Sequence, residues 1–261
     1  MGLGQTLRKH HLAMRRFGKR LWLRYAFAAT VDGLRPIHLA GMDPIFVRPG
    51  ESDLEVARQI FIQQSYRLHP QEVHDRVQRR YEAILTAGKR PIIVDAGANI
   101  GASSIWFARE YEDARIVAIE PDQGSLAVLR KNVGAFKNCI VLEAALGGER
   151  GFATLTNSDE NLAWTVQTER SISGVPIVTV QDAFEASGGD EPFIVKIDIE
   201  GFEHDVFASN LGWLESAYVV VLEPHDWMFP GKRTSATFQR AMAKMPFELF
   251  LRGENLIYVR L

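Results

Sequence analysis

From residue 91 onward, short apolar runs alternate with amphipathic stretches. Residues 91–95, 115–120, 138–145, 193–198 and 218–223 are rich in Val, Ile and Ala, and each carries an acid at or near its carboxyl end: Asp95, Glu120, Glu143, Asp198 and Glu223. Runs this short and this apolar predict strands of a parallel sheet buried on both faces. Between them the spacing turns helical. Ile105, Trp106 and Ala108 follow the first run, and Leu126, Leu129 and Val133 mark the core face of a helix over about 123–134. A helix is predicted near 235–244. The runs 247–251 and 256–259, joined by Arg252-Gly-Glu-Asn255, predict a closing hairpin. Three further β-like runs, 152–156, 163–168 and 175–180, are more strand than alternation alone requires, and predict a β insertion beside the sheet.

Ahead of this region the pattern changes. Residues 36–48 predict two short strands about a turn from Gly41 to Pro44. Ser52-Asp-Leu-Glu55 has the form of a capping box, so a helix is predicted from there to about Ser65. Val73, Val77, Tyr81 and Ile84 form the stripe of a second helix, which Gly88 stops. The organisation expected is a basic helical arm over 1–35, an α+β cap over 36–90, and a main α/β domain over 91–261.

Charge divides the chain unevenly. The net charge is −2, yet residues 1–31 hold seven Lys/Arg and no Asp or Glu, leaving a net of −9 on the remainder. A balance of this kind excludes general nucleic-acid binding. The arm has two readings, a basic helix on an anionic membrane surface or a solvated helix packed on the domain. Cys139 is the only cysteine, so no intrachain disulfide forms, and no apolar run approaches the roughly 20 residues of a membrane span. The expected location is cytoplasmic, with peripheral contact at the inner membrane surface if the arm binds lipid.

The first run of the main domain leads into Asp95-x-Gly97-x-Asn99-x-Gly101 and then a helix. A strand, a glycine turn and a helix N-terminus make a nucleotide-type site, because backbone N–H groups and the helix dipole face the ligand. The spacing departs from the dinucleotide fingerprint G-x-G-x-x-G, with Asn99 where a glycine is expected. Glu120 lies 23 residues past Gly97, where a doubly wound fold places the carboxylate that grips ribose hydroxyls. Asp198 and Glu200 are two apart, as are Glu223 and His225, so each pair points one way if the chain is extended.

Val94-Asp-Ala-Gly-Ala-Asn-Ile-Gly101, Glu120-Pro121 with Leu129-Arg-Lys-Asn132, Val195-Lys-Ile-Asp-Ile-Glu-Gly-Phe-Glu203 and Val221-Leu-Glu-Pro-His225 together resemble the FkbM-type methyltransferases, over about residues 36–260. The resemblance implies a Rossmann-like class I methyltransferase sheet, with parallel strands, a terminal antiparallel hairpin and a small N-terminal cap. It implies O-methylation of a hydroxyl acceptor by S-adenosylmethionine, the acceptor being a sugar of a glycolipid or polysaccharide, or a secondary metabolite. The cofactor-binding residues expected are Asp95, Gly97, Asn99, Gly101, Ser103, Glu120, Pro121, Glu143 and Asp198. The catalytic residues expected are His225, Asp198 and Glu200. His225 serves as general base because an ordinary imidazole titrates near neutrality. In the competing scheme Asp198, Glu223 and His225 hold Mg²⁺ or Mn²⁺, which acidifies the hydroxyl. Trp227 and Phe229 follow the fifth strand and suit either stacking on a sugar or core packing. Two other classes stand beside this one: a module that binds the cofactor without chemistry, and a nicotinamide oxidoreductase, which the loop spacing and the hairpin disfavour.

Overall fold

A computed structural model describes residues 29–157 and 166–261. The basic arm lies outside the described residues up to 28, as does the front of the run 163–168. Two compact units are present, one ending at Gln63 and one running Gln64–Leu261.

In the first unit, β1 (Arg35–Ile37) pairs antiparallel with β2 (Ile45–Val47), and α1 follows (Asp53–Phe61). Asp53 is fully buried and held by Arg48, whose Nη2 sits 2.8 Å from Oδ1 and whose backbone N donates to Oδ2 at 2.7 Å. The expected capping box does not form. Ser52 takes a helical conformation and makes no side-chain cap, while Glu55 pairs with Arg58. α1 ends at Phe61 rather than near Ser65, and Gln64 beyond it is left-handed at φ +55°.

The second unit opens with α2 (Gln71–Thr86), whose buried face is Val73, Val77, Tyr81 and Ile84. Strands and helices then alternate: β3 (Pro91–Ala96), α3 (Ala102–Glu110), β4 (Arg115–Ile119), α4 (Gln123–Val133) and β5 (Cys139–Leu142). A second sheet is built from β6 (Ala145–Leu146), β7 (Gly151–Asn157), β8 (Val166–Ser171) and β9 (Val175–Val178), in the order β6-β9-β7-β8. This is the predicted insertion. After it come α5 (Val180–Ser187), β10 (Glu191–Ile197), α6 (Glu203–Val206), α7 (Trp213–Ser216), β11 (Val219–Leu222), α8 (Ala236–Met242), β12 (Phe247–Arg252) and β13 (Asn255–Arg260).

The main sheet has the order β12-β13-β11-β10-β3-β4-β5. β11, β10, β3, β4 and β5 pair in parallel, and the β12–β13 hairpin adds antiparallel at the β11 edge. β3 and β10 lie side by side, although the chain runs outward from β3 to β5 on one side and from β10 to β11 on the other. That is a topological switch point, where the carboxyl ends of the strands leave a crevice for a ligand. Ile93, Val94, Phe193, Val195 and Ile197 bury the two central strands. Among the described residues no helix is long and apolar enough to cross a membrane.

Candidate active site

The loop after β3 is held from below. Gly97 has φ +71°, and a Cβ there would meet the carbonyl oxygen of Asp198 at 1.7 Å, so only glycine lets the end of β10 pass this close. Asn99 is also left-handed, with φ +49°. Buried Lys196 donates to the carbonyls of Ala96 and Gly97 at 3.2 and 2.8 Å and forms ion pairs with Asp95 at 3.1 Å and Asp198 at 3.5 Å. The Asp95 pair is off-axis for a hydrogen bond. Burial alone lowers the Lys196 pKa, but Asp95, with help from Asp198, overcomes it and the net shift is upward. The buried ammonium therefore stays charged and ties β3, its loop and β10 together.

Glu120 sits beside the loop. Its Oε2 accepts the backbone N–H of Asn99 at 2.8 Å and its Oε1 that of Asp122 at 2.9 Å. Burial pushes its pKa up to about 7 against these two bonds. Each oxygen keeps a lone pair for a further donor.

A second constellation forms where β10 and β11 end. His225 is buried, and its Nδ1 donates to Glu203 Oε1 at 2.8 Å. Its Nε2 then faces Asp198 Oδ1 at 3.6 Å, Glu200 Oε2 at 3.8 Å and Glu223 Oε1 at 3.8 Å. These distances are too long for hydrogen bonds and leave a gap that one bridging atom would fill. Glu200 is held at φ +55°, an uncommon conformation for a residue with a Cβ, next to Gly201 at φ +97°. Phe229 presses on Gly201, where a Cβ would meet the ring at 2.2 Å. Trp227 is well exposed, with its ring 6.5 Å from that of His225.

Burial lowers the His225 pKa, but the Glu203 hydrogen bond, then Asp198 and Glu200, push it up to about 10. The carboxylates around the ring thus favour the protonated imidazole. Burial and Asp198 push Glu200 up to about 7, and Asp198 and burial push Glu223 up to about 8.

The expected residues divide into three groups. Gly97, Asn99, Glu120, Pro121 and Asp198 lie at the carboxyl ends of β3, β4 and β10, whereas Gly101 is buried and packs against Leu129 and Val133 of α4. Asp95 and Ser103 are buried instead, because Ser103 and Ser104 donate to Asp95 Oδ2 at 2.7 and 2.6 Å, and they brace the loop from behind. Ser103 therefore has no hydroxyl proton to offer a ligand. Glu143 is at the surface, paired with Arg130 at 2.9 Å and bonded by Gln123. Glu203 is the participant that sequence reasoning passed over. The spacing Glu200-x-x-Glu203 at the start of a helix was the available signal. Gly148 N and Arg170 Nη2 bond Asp205 Oδ1 at 2.9 and 2.7 Å, anchoring α6, which presents Glu203, to the second sheet.

Asp198, Glu223 and His225 also offer ligand atoms within 4.8 Å of one another, a set that fits a divalent cation.

The strand order, closing hairpin and switch-point loop define a class I methyltransferase fold. A family model described as the methyltransferase FkbM domain matches residues 95–249, and the chain belongs to that family. The methyltransferase sdnD of Sordaria araneosa is 39% identical over 69 residues, which is 25% of this chain and 27% of that protein. The chain thus spans about a quarter of that relative's length. Among solved structures, a methyltransferase FkbM from Methylobacillus flagellatus KT is 16% identical over 66% of this chain and 43% of its own, with a TM-score of 0.44. A precorrin-6y C5,15-methyltransferase from Geobacter metallireducens GS-15 is 15% identical over 74% of this chain and 89% of its own, with a TM-score of 0.37.

Proposed function

We propose that this chain is an S-adenosylmethionine-dependent O-methyltransferase whose acceptor is a hydroxyl of a sugar, in a glycolipid or polysaccharide, or of a secondary metabolite. The observation that carries this proposal is the convergence of Asp198, Glu200 and Glu223 on His225 Nε2, within 3.6–3.8 Å, beside the switch-point loop. The donor set fits the cofactor. Glu120 has unused lone pairs for ribose hydroxyls, the loop 97–101 supplies backbone groups, and the carboxylates suit a sulfonium. When bound, the cofactor supplies a methyl group on a sulfonium, which makes the methyl carbon electrophilic.

The remaining work belongs to the chain. The acceptor oxygen occupies the gap at His225 Nε2 and receives its N–H. The hydroxyl proton passes to a carboxylate, and Glu200 is the base, because it borders both the gap and an open cavity and its pKa of about 7 matches neutral operation. The pair with Glu203 holds the imidazolium ring in orientation. Methyl uptake from labelled S-adenosylmethionine, screened over nucleotide sugars and glycolipids, tests the activity. Glu200→Gln should lower the rate by roughly 10²–10⁴-fold without weakening cofactor binding.

The clustering of Asp198, Glu223 and His225 favours a second scheme, in which these three residues, with His225 neutral at Nε2, would hold Mg²⁺ or Mn²⁺, and the ion would supply Lewis acidity to the hydroxyl. Activity abolished by chelator and restored by metal would select it.

A further inference from the structure

Glu200 also forms part of the wall of a cavity of about 540 Å³ lined by residues of β8 and α8. His204, Phe229, Lys232, Arg233 and Arg240 line it with Glu200. Several surface arginines of the unit meet acids, as in Arg76–Glu248, Arg130–Glu143 and Arg150–Asp182. Lys232, Arg233 and Arg240 form no ion pair with any described residue, although the chain as a whole is net negative. Glu169, on the β8 side, is the exposed acid that lines the same space. Thr237 Oγ1 lines it too and is buried without a partner among the described residues.

Three cations without ion pairs line the cavity against Glu169 and Glu200; cations of this kind attract an anionic group, and arginine forks match phosphate oxygens bidentately. Phe229, packed on Gly201 next to Glu200, gives the apolar face that a sugar ring or similar scaffold needs. The cavity therefore joins a proton-accepting carboxylate to an anion-binding wall, with an aromatic face beside Glu200.

We infer that the methyl acceptor carries a phosphate or diphosphate ester, bound by Lys232, Arg233 and Arg240 in this cavity while its hydroxyl lies at Glu200 and His225. The inference rests on the proposed methyltransferase function and names the acceptor class. It separates acceptors that neutral glycans and phosphorylated sugars leave open.

The test uses the full chain and inorganic pyrophosphate as probe. Calorimetry compares wild type with the triple variant Lys232→Gln/Arg233→Asn/Arg240→Gln. All three side chains are exposed, and Asn tolerates the left-handed backbone of position 233, φ +55°. Expected is saturable pyrophosphate binding by wild type that weakens as salt rises, binding at least tenfold weaker in the variant, and equal S-adenosylhomocysteine affinity in both. In methyl-transfer assays a sugar phosphate should exceed the same sugar without its phosphate by at least tenfold in kcat/KM for wild type, and the triple variant should lose that preference. No saturable pyrophosphate binding by wild type, or equal binding by the variant, overturns the inference. A wild type that fails to bind S-adenosylhomocysteine strikes the methyltransferase proposal instead, and the pyrophosphate isotherms still decide the anion site.

Discussion

Glu203 Oε1 accepts the Nδ1 proton of His225 at 2.8 Å, and both side chains are buried. One residue opens α6 and the other follows β11, so the pair fastens together the two loops that bound the gap. It sets which way the imidazole points and keeps it charged. A buried carboxylate with no such partner would carry a large desolvation cost. Glu203 Oε2 lacks a hydrogen bond among the described residues, which leaves the interaction with His225 and the Gly201 N–H at 3.1 Å to hold this group in place.

Glu203→Gln keeps the shape and an acceptor but removes the charge. The His225 pKa should fall, readable as the imidazole titration by NMR, and the protein should lose roughly 3 kcal/mol, the scale of leaving a buried charge uncompensated. Methyl transfer should drop about 10-fold to 100-fold while S-adenosylhomocysteine affinity holds. An unmoved imidazole titration would remove Glu203 from the site.

The same cluster fixes a pH dependence of stability. His225 is raised, so its contribution is complete below its unfolded pKa of about 6.5 and is lost as pH climbs toward about 10. Glu200 and Glu223 are carboxyls raised to about 7 and 8, and they also favour the folded state less as pH rises from about 4.5 through those values. The signs agree. Denaturant midpoints should fall between pH 6 and pH 10, and less steeply in Glu203→Gln. A midpoint rising over that window would contradict the charges assigned here.

Glu120 predicts a pH dependence of binding. In the empty protein burial raises it to about 7, yet ribose hydroxyls donate best to the ionised form. Binding of S-adenosylhomocysteine should therefore release a proton below about pH 7, with affinity weakening as pH falls. Calorimetry in two buffers of different ionisation enthalpy measures the release. Glu120→Ala should abolish it and weaken binding by roughly 1.5–3 kcal/mol per lost bond; equal proton release by the variant would assign it to another group.

Strand ends and the loop were legible in the sequence because they depend on local chemistry: apolar runs closed by Asp95, Glu120 and Asp198, and glycines at positive φ. The closing hairpin was legible too, and with it the class of sheet, though not the placing of β10 beside β3. Burial and pairing across distance were not legible. Ser103 looked like a ligand to the cofactor, but α3 buries it and turns its hydroxyl back onto Asp95. Glu203 meets His225 across 22 residues, and the Glu200-x-x-Glu203 spacing marks the helix start without naming that partner. α5 was missed although Thr179 and Asp182 form a true capping box, because the β-like run 175–180 masked it. Ser52 shows the converse, a box in sequence that the backbone does not make.

Gly97→Ala tests the close approach of β10 to the loop. The added Cβ would collide with the Asp198 carbonyl at 1.7 Å, and this is backbone that cannot swing aside. An unstrained Gly-to-Ala change stabilises by about 0.4–1 kcal/mol; here the sign should reverse, with a loss larger than that gain, and S-adenosylhomocysteine affinity should fall with it. Wild-type melting and binding in this variant would show that loop and strand end are further apart.

The most direct measurement is calorimetric titration of the wild-type chain with S-adenosylhomocysteine and, separately, with NAD. A single saturable site for S-adenosylhomocysteine, with no heat from NAD, is the predicted result, since the Asp95–Gly101 loop, with Asn99 in place of a glycine, departs from the dinucleotide spacing. A chain that binds NAD, or that binds neither ligand, would contradict the proposed function.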